Sequence, residues 1–99
     1  MRRKIWLELD GGFVIGEGGF DLLDAVRKEG SLTAAARTVG WSYRHAWGYL
    51  RRVERTIGER LTNGRPGKGR RRGIVLTSSG EEMLKFGRSL GWQARKPDA

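Results

Sequence analysis

Cysteine is absent from the 99 residues and histidine occurs once. The first absence excludes a disulfide framework and thiol chemistry, and the two together leave the usual zinc ligand set unfilled. Acidic residues are also scarce, 11 against 20 Lys and Arg, so the formal net charge is +9. No apolar run approaches the roughly 18 residues of a membrane span. The basic start Met1-Arg2-Arg3-Lys4 leads into alternating residues from Ile5 to Leu9 rather than the apolar core of a signal peptide. These absences predict a cytoplasmic protein with no membrane partner. At 37% hydrophobic, the chain is expected to form one small domain over residues 1–99, with a modest core and a flexible tail from 91 to 99.

What is present is positive charge, and it is concentrated. Residues 1–43 carry six basic and six acidic groups, whereas residues 44–72 carry ten basic and two acidic. Lysine and arginine contacts to phosphate dominate affinity for nucleic acid, so a charged segment on a neutral remainder is the footprint of a DNA-binding surface.

The apolar pattern says which elements carry that charge. Ile5, Leu7 and Leu9 alternate with Trp6 and Glu8, Asp10-Gly11-Gly12 suits a hairpin turn, and Phe13-Val14-Ile15 returns as a second short strand. A first helix is expected from about Glu17–Phe20 to Lys28, ended by Gly30. Ser31 or Thr33 caps a second helix through Ala34-Ala35-Ala36, whose small side chains permit a close crossing, and Gly40 takes the backbone angles of a sharp turn. Val39 and Trp41 flank that glycine as core residues. A third helix is predicted from the Ser42 cap to about Arg60, with Ala46, Leu50, Val53, Ile57 and Leu61 as its buried stripe. Tyr43, Arg44, Trp47, Arg51, Arg52 and Arg55 fall outside that stripe.

From Leu61-Thr62-Asn63 to Gly73-Ile74-Val75-Leu76-Thr77 the chain reads as a second hairpin whose tip carries Arg65, Lys68, Arg70, Arg71 and Arg72. Such a loop suits phosphate or a minor groove. Ser78 or Ser79 is expected to cap a last helix, with Glu81 and Glu82 in its first turn and Met83, Leu84, Phe86, Gly87 and Leu90 on its apolar side. The predicted fold class is mainly α (α+β): a winged helix-turn-helix with an N-terminal β-hairpin, a β-hairpin wing and a C-terminal helix.

In this order the motifs resemble the DNA-binding domains of the LysR type and, more closely, those of the molybdate-responsive ModE type. Ala35-Ala36, Ser42, Leu50, Val53-Glu54 and Ile57-Gly58 with Leu61 are LysR-like. Gly30-Ser31, Ser42-Tyr43-Arg44, Ala46-Trp47, the glycine-rich wing, and Leu76-Thr77 with Gly80 are ModE-like. The resemblance covers roughly residues 4–90. It implies a transcriptional regulator that binds a palindromic operator as a homodimer, with the N-terminal region and the first or last helix building the dimer contact. ModE-like repressors sense an oxyanion through C-terminal domains that these 99 residues do not reach, so no molybdate site is expected. Arg70-Arg71-Arg72 replaces glycines that the family favours, which predicts stronger and less selective phosphate binding.

The expected DNA-binding residues are Ser42, Tyr43, Arg44, Trp47, Arg51 and Arg52 on the third helix and Arg65, Lys68, Arg70, Arg71 and Arg72 on the wing. Arg44 has the geometry for a bidentate guanine contact, the alternative being phosphate alone. Trp47 divides evenly between the groove and the edge of the core. The partner is double-stranded DNA, and the protein would then be nucleoid-associated. An architectural DNA-coating protein and a protein-interaction module remain the alternatives. No enzyme is expected. Gly67-Lys68 has Thr62 where a phosphate loop needs glycine, Gly16-Glu17-Gly18-Gly19 lacks a dinucleotide context, and no cofactor or metal is indicated.

Overall fold

A computed structural model of the chain describes residues 6–9, 12–65 and 73–94. Strands β1 (Trp6–Leu9) and β2 (Gly12–Gly16) pair antiparallel, as the alternation predicts. Leu7 faces Ile15 and Glu8 faces Phe13, so the register slips at Val14. That bulge allows the consecutive residues Val14 and Ile15 both to be buried, which strict alternation forbids. The predicted turn at Asp10-Gly11 lies outside the described residues.

Helix α1 (Glu17–Glu29) follows directly and closes at Gly30. It is the central element because two of its faces are apolar. Phe20 and Leu23 join Val14, Ile15, Leu50, Val53, Leu61 and Leu84 in one cluster, while Leu22, Ala25 and Val26 join Leu32, Ala35, Ala36 and Ala46 in another. Asp24, also buried, accepts the cations of Arg27 (3.3 Å) and Lys28 (3.0 Å) from the helix's last turn.

Of the two candidate caps for α2 (Leu32–Val39), Ser31 is the one used: its hydroxyl accepts from Ala34 N–H at 3.2 Å. Ala35 and Ala36 meet Ala46 of α3 (Tyr43–Ile57), and three methyl side chains in the contact let the helices approach closely. Between them Gly40 sits at φ 79° and Trp41 N–H reaches back to Ala36 C=O at 2.8 Å, completing the tight turn.

Helix α3 ends at Ile57, three residues before the predicted Arg60. Gly58 adopts φ 75° and its N–H closes on Glu54 C=O at 2.8 Å. Leu61, predicted as the last rung of the helical stripe, lies beyond the helix and is fully buried nonetheless. Strands β3 (Thr62–Arg65) and β4 (Gly73–Leu76) then pair antiparallel as the wing.

Helix α4 (Ser78–Ser89) is capped by Thr77 rather than by Ser78 or Ser79. The Thr77 hydroxyl accepts from Gly80 N–H at 3.0 Å and donates to Arg60 C=O at 2.6 Å, a second bond open only to the residue nearest the preceding loop. Leu84 and Gly87 are buried as expected, whereas Phe86 and Leu90 are exposed. Trp92, placed by its sequence position in a flexible tail, is instead buried: it packs on Phe20 with ring centroids 5.8 Å apart and donates its indole N–H to Asp21 at 3.0 Å. The remainder of the predicted tail, 95–99, lies outside the described residues. Among the described residues no helix is long and apolar enough to cross a membrane.

Candidate nucleic-acid interface

The third helix divides into two faces. Ala46, Leu50 and Val53 are buried, fixing its roll against α1 and α2, and Ser42 fixes its start by accepting from His45 N–H at 3.1 Å. The opposite face is then compelled outward. Tyr43 is 51% exposed and Trp47 47%, and Arg44, Arg52 and Arg55 are exposed with them. Large aromatics on a surface need a reason, and here they alternate with arginine on one helical face. Among the described residues no carboxylate pairs with Arg44, Arg52 or Arg55.

The arginines are not equivalent. Arg51 donates to Glu54 at 2.8 Å while its guanidinium lies over the Trp47 ring, 5.5 Å from the centroid. Arg52 lies over Tyr49 at 5.2 Å. Tyr49 is itself held at the inner edge of the interface, accepting from Gly16 N–H at 3.1 Å and packing on Trp41 at 5.1 Å. Burial pushes its phenol above the ordinary 10.0, opposed by the Gly16 hydrogen bond and by Arg52. His45 stacks edge-on against Trp41 at 4.4 Å, which gives it a packing role.

Glu54 is the residue that sequence reasoning undervalued. It lies among arginines in the sequence, yet it is buried, and its carboxylate accepts from Leu61 N–H (2.7 Å), Thr62 N–H (3.3 Å) and Arg51, with Arg60 Nε 3.5 Å away. One buried anion therefore joins the outward face of α3 to Leu61 and Thr62 at the entry to β3. A signal was available: Glu54 follows Val53 immediately and lies four residues from Leu50, so the helical period places it beside the stripe. The wing is tied a second time by main chain, where Ile74 N–H donates to Gly30 C=O at 2.9 Å.

Six of the sequence-predicted site residues, Ser42, Tyr43, Arg44, Trp47, Arg51 and Arg52, are thus brought onto the first three turns of α3 and its cap. Ser42 uses its hydroxyl as a cap. Arg65 closes β3, and Lys68, Arg70, Arg71 and Arg72 lie outside the described residues. Among the described residues no group of three His, Asp or Glu is placed to hold a metal.

Residues 19–81 match the family described as bacterial regulatory helix-turn-helix protein, lysR family. The chain is also 36% identical over 63 residues to the molybdenum-pterin-binding protein MopB of Rhodobacter capsulatus, covering 64% of this chain and 23% of that protein. It is 37% identical over 75 residues to the molybdenum transport protein ModE of Herbaspirillum seropedicae, covering 72% of this chain and 26% of that protein. It therefore spans about a quarter of the length of these relatives.

Proposed function

Because the chain belongs to the lysR family of bacterial regulatory helix-turn-helix proteins, DNA-binding regulators of transcription, we propose that it acts as a homodimer on a two-fold symmetric operator, with α3 in the major groove of each half-site. The wing lies on the adjacent backbone or in the minor groove. The observation that carries this reading is the two-faced α3: Ala46, Leu50 and Val53 lock its roll, and Tyr43, Arg44, Trp47, Arg52 and Arg55 are left outward. Arg44, in the first turn of the helix and without an acidic partner among the described residues, is the guanine reader, and Arg52 with the wing arginines neutralises phosphate.

A symmetric dimer sets half-sites about 34 Å apart or a multiple of it. Neutralising six to eight phosphates gives a log–log salt slope of roughly −5 to −7. Selection of genomic fragments at physiological salt, against random duplex of equal length, tests the reading. A preference of about a thousandfold with a palindromic footprint supports it. Equal affinity for both supports the architectural reading that Arg70-Arg71-Arg72 favours, and a slope near zero removes the electrostatic basis of either. The molybdenum in the relatives' names is not carried over, since the chain matches only about a quarter of each, and no molybdate site is proposed.

A further inference from the structure

Trp47 exposes nearly half of an indole on the face of α3 assigned to the groove. An exposed tryptophan on a helix normally sweeps several rotamers, but this one has a fixed neighbour on one side. The Arg51 guanidinium lies 5.5 Å from its ring centroid, and Arg51 is in turn anchored at 2.8 Å to the buried carboxylate of Glu54. The chain of contacts from core anion to cation to ring preorganises the indole and leaves its other face open. The residue after it is glycine, in the interior of a 15-residue helix, where a Cβ would meet nothing within 4 Å among the described residues. No packing contact among the described residues calls for that glycine, and it weakens the helix. Its effect is to leave a clear space beside Trp47 through which another surface can come close.

We propose that Trp47 is a thymine-reading residue, its open indole face lying against the C5-methyl of a thymine in the operator. The floor of the major groove is a field of hydrogen-bond donors and acceptors, and the thymine methyl is the apolar group it presents. An indole held flat by Arg51 finds its complementary surface there, and the space over Gly48 lets the helix sit deep enough for the contact. Arg51 acts through Trp47 as a positioning residue. This specificity rests on the placement of α3 in the major groove proposed above.

The test removes the methyl and nothing else. After the operator is selected, each thymine of a half-site is replaced singly by deoxyuridine, and binding is measured with the wild-type protein and with Trp47→Ala, whose folding is checked by thermal melting. At one or two positions the wild type should lose about fourfold in affinity, the value of one buried methyl. Trp47→Ala should bind the thymine duplex more weakly and give equal affinity for thymine and uracil at those positions. Wild-type binding that ignores every substitution, an operator half-site without thymine, or a thymine preference that survives in Trp47→Ala would overturn the proposal while leaving DNA recognition intact. Failure to bind any duplex would overturn the placement of α3 itself.

Discussion

Removal of the Glu54 carboxylate should detach the wing from α3. In Glu54→Ala the N–H groups of Leu61 and Thr62 lose the acceptor they reach at 2.7 and 3.3 Å, and the Arg51 and Arg60 guanidiniums lose a common partner. A hydrogen bond to a charged group contributes about 1.5–3 kcal/mol, and breaking a buried pair costs about 3–5 kcal/mol. Those figures describe overlapping interactions and do not add. The Arg51 and Arg60 side chains are 31% and 58% exposed and regain water, so the cation share is discounted. The expected loss is about 3 kcal/mol, against a total of about 5–15 for a domain of this size. At about 4–8 °C per kcal/mol, the thermal midpoint should fall by about 12–24 °C. Glu54→Gln keeps the volume and one acceptor oxygen and should lose about half as much. Urea unfolding followed by circular dichroism measures the energies, and hydrogen exchange at the Leu61 and Thr62 amides localises them. A Glu54→Ala protein within about 1 kcal/mol of wild type, with both amides still protected, would refute the role given to this carboxylate.

Further expectations are open to measurement. Gly48→Ala should raise the midpoint by about 4–8 °C, since it removes a helical glycine without a clash, yet lower operator affinity in a titration; unchanged affinity would show that nothing approaches that position. Gly87→Ala should cost about 1–3 kcal/mol by urea unfolding, because its Cβ would stand 2.7 Å from the Phe20 ring. Ser42→Ala should cost about 1 kcal/mol and fray the turn that carries Tyr43 and Arg44, visible as faster amide exchange at His45. The Tyr49 phenol is raised by burial, so its unfolded form ionises first: the stability it contributes is complete below about pH 10 and falls as pH rises toward the folded value. Tyr49→Phe should flatten that alkaline decline in a pH series of melts.

The fold was legible where local chemistry and burial agree. Gly30 and Gly40 stand between apolar periodic segments, and each ends its helix in the left-handed region. Legibility failed where two readings share one spacing. Leu61 lies four residues after Ile57, so the period continues across Gly58 although the helix does not. Thr77, Ser78 and Ser79 offer three equivalent hydroxyls in a row, and the choice among them depends on Arg60 C=O, a group 17 residues back in the chain. Trp92 is retained by Asp21, 71 residues away, a pairing that no local pattern contains. At the site, the outward face of α3 followed from its buried stripe. The inward carboxylate of Glu54 did not, because a glutamate among arginines reads as a surface pair until the wing is seen to supply its remaining donors.

The tie between Ile74 N–H and Gly30 C=O belongs to no side chain, and among substitutions at residue 74 only proline deletes its donor. Ile74 can therefore change its side chain and keep the tie, whereas Gly30, at φ 70° in the left-handed region, is held to glycine by its own backbone. On the proposed placement of the wing against phosphate, each arginine between Arg65 and Gly73 would shift the salt slope by about one unit. On that placement the grip on DNA would be tuned one charge at a time, on a wing whose base is held by the Ile74–Gly30 tie and by the Glu54 carboxylate.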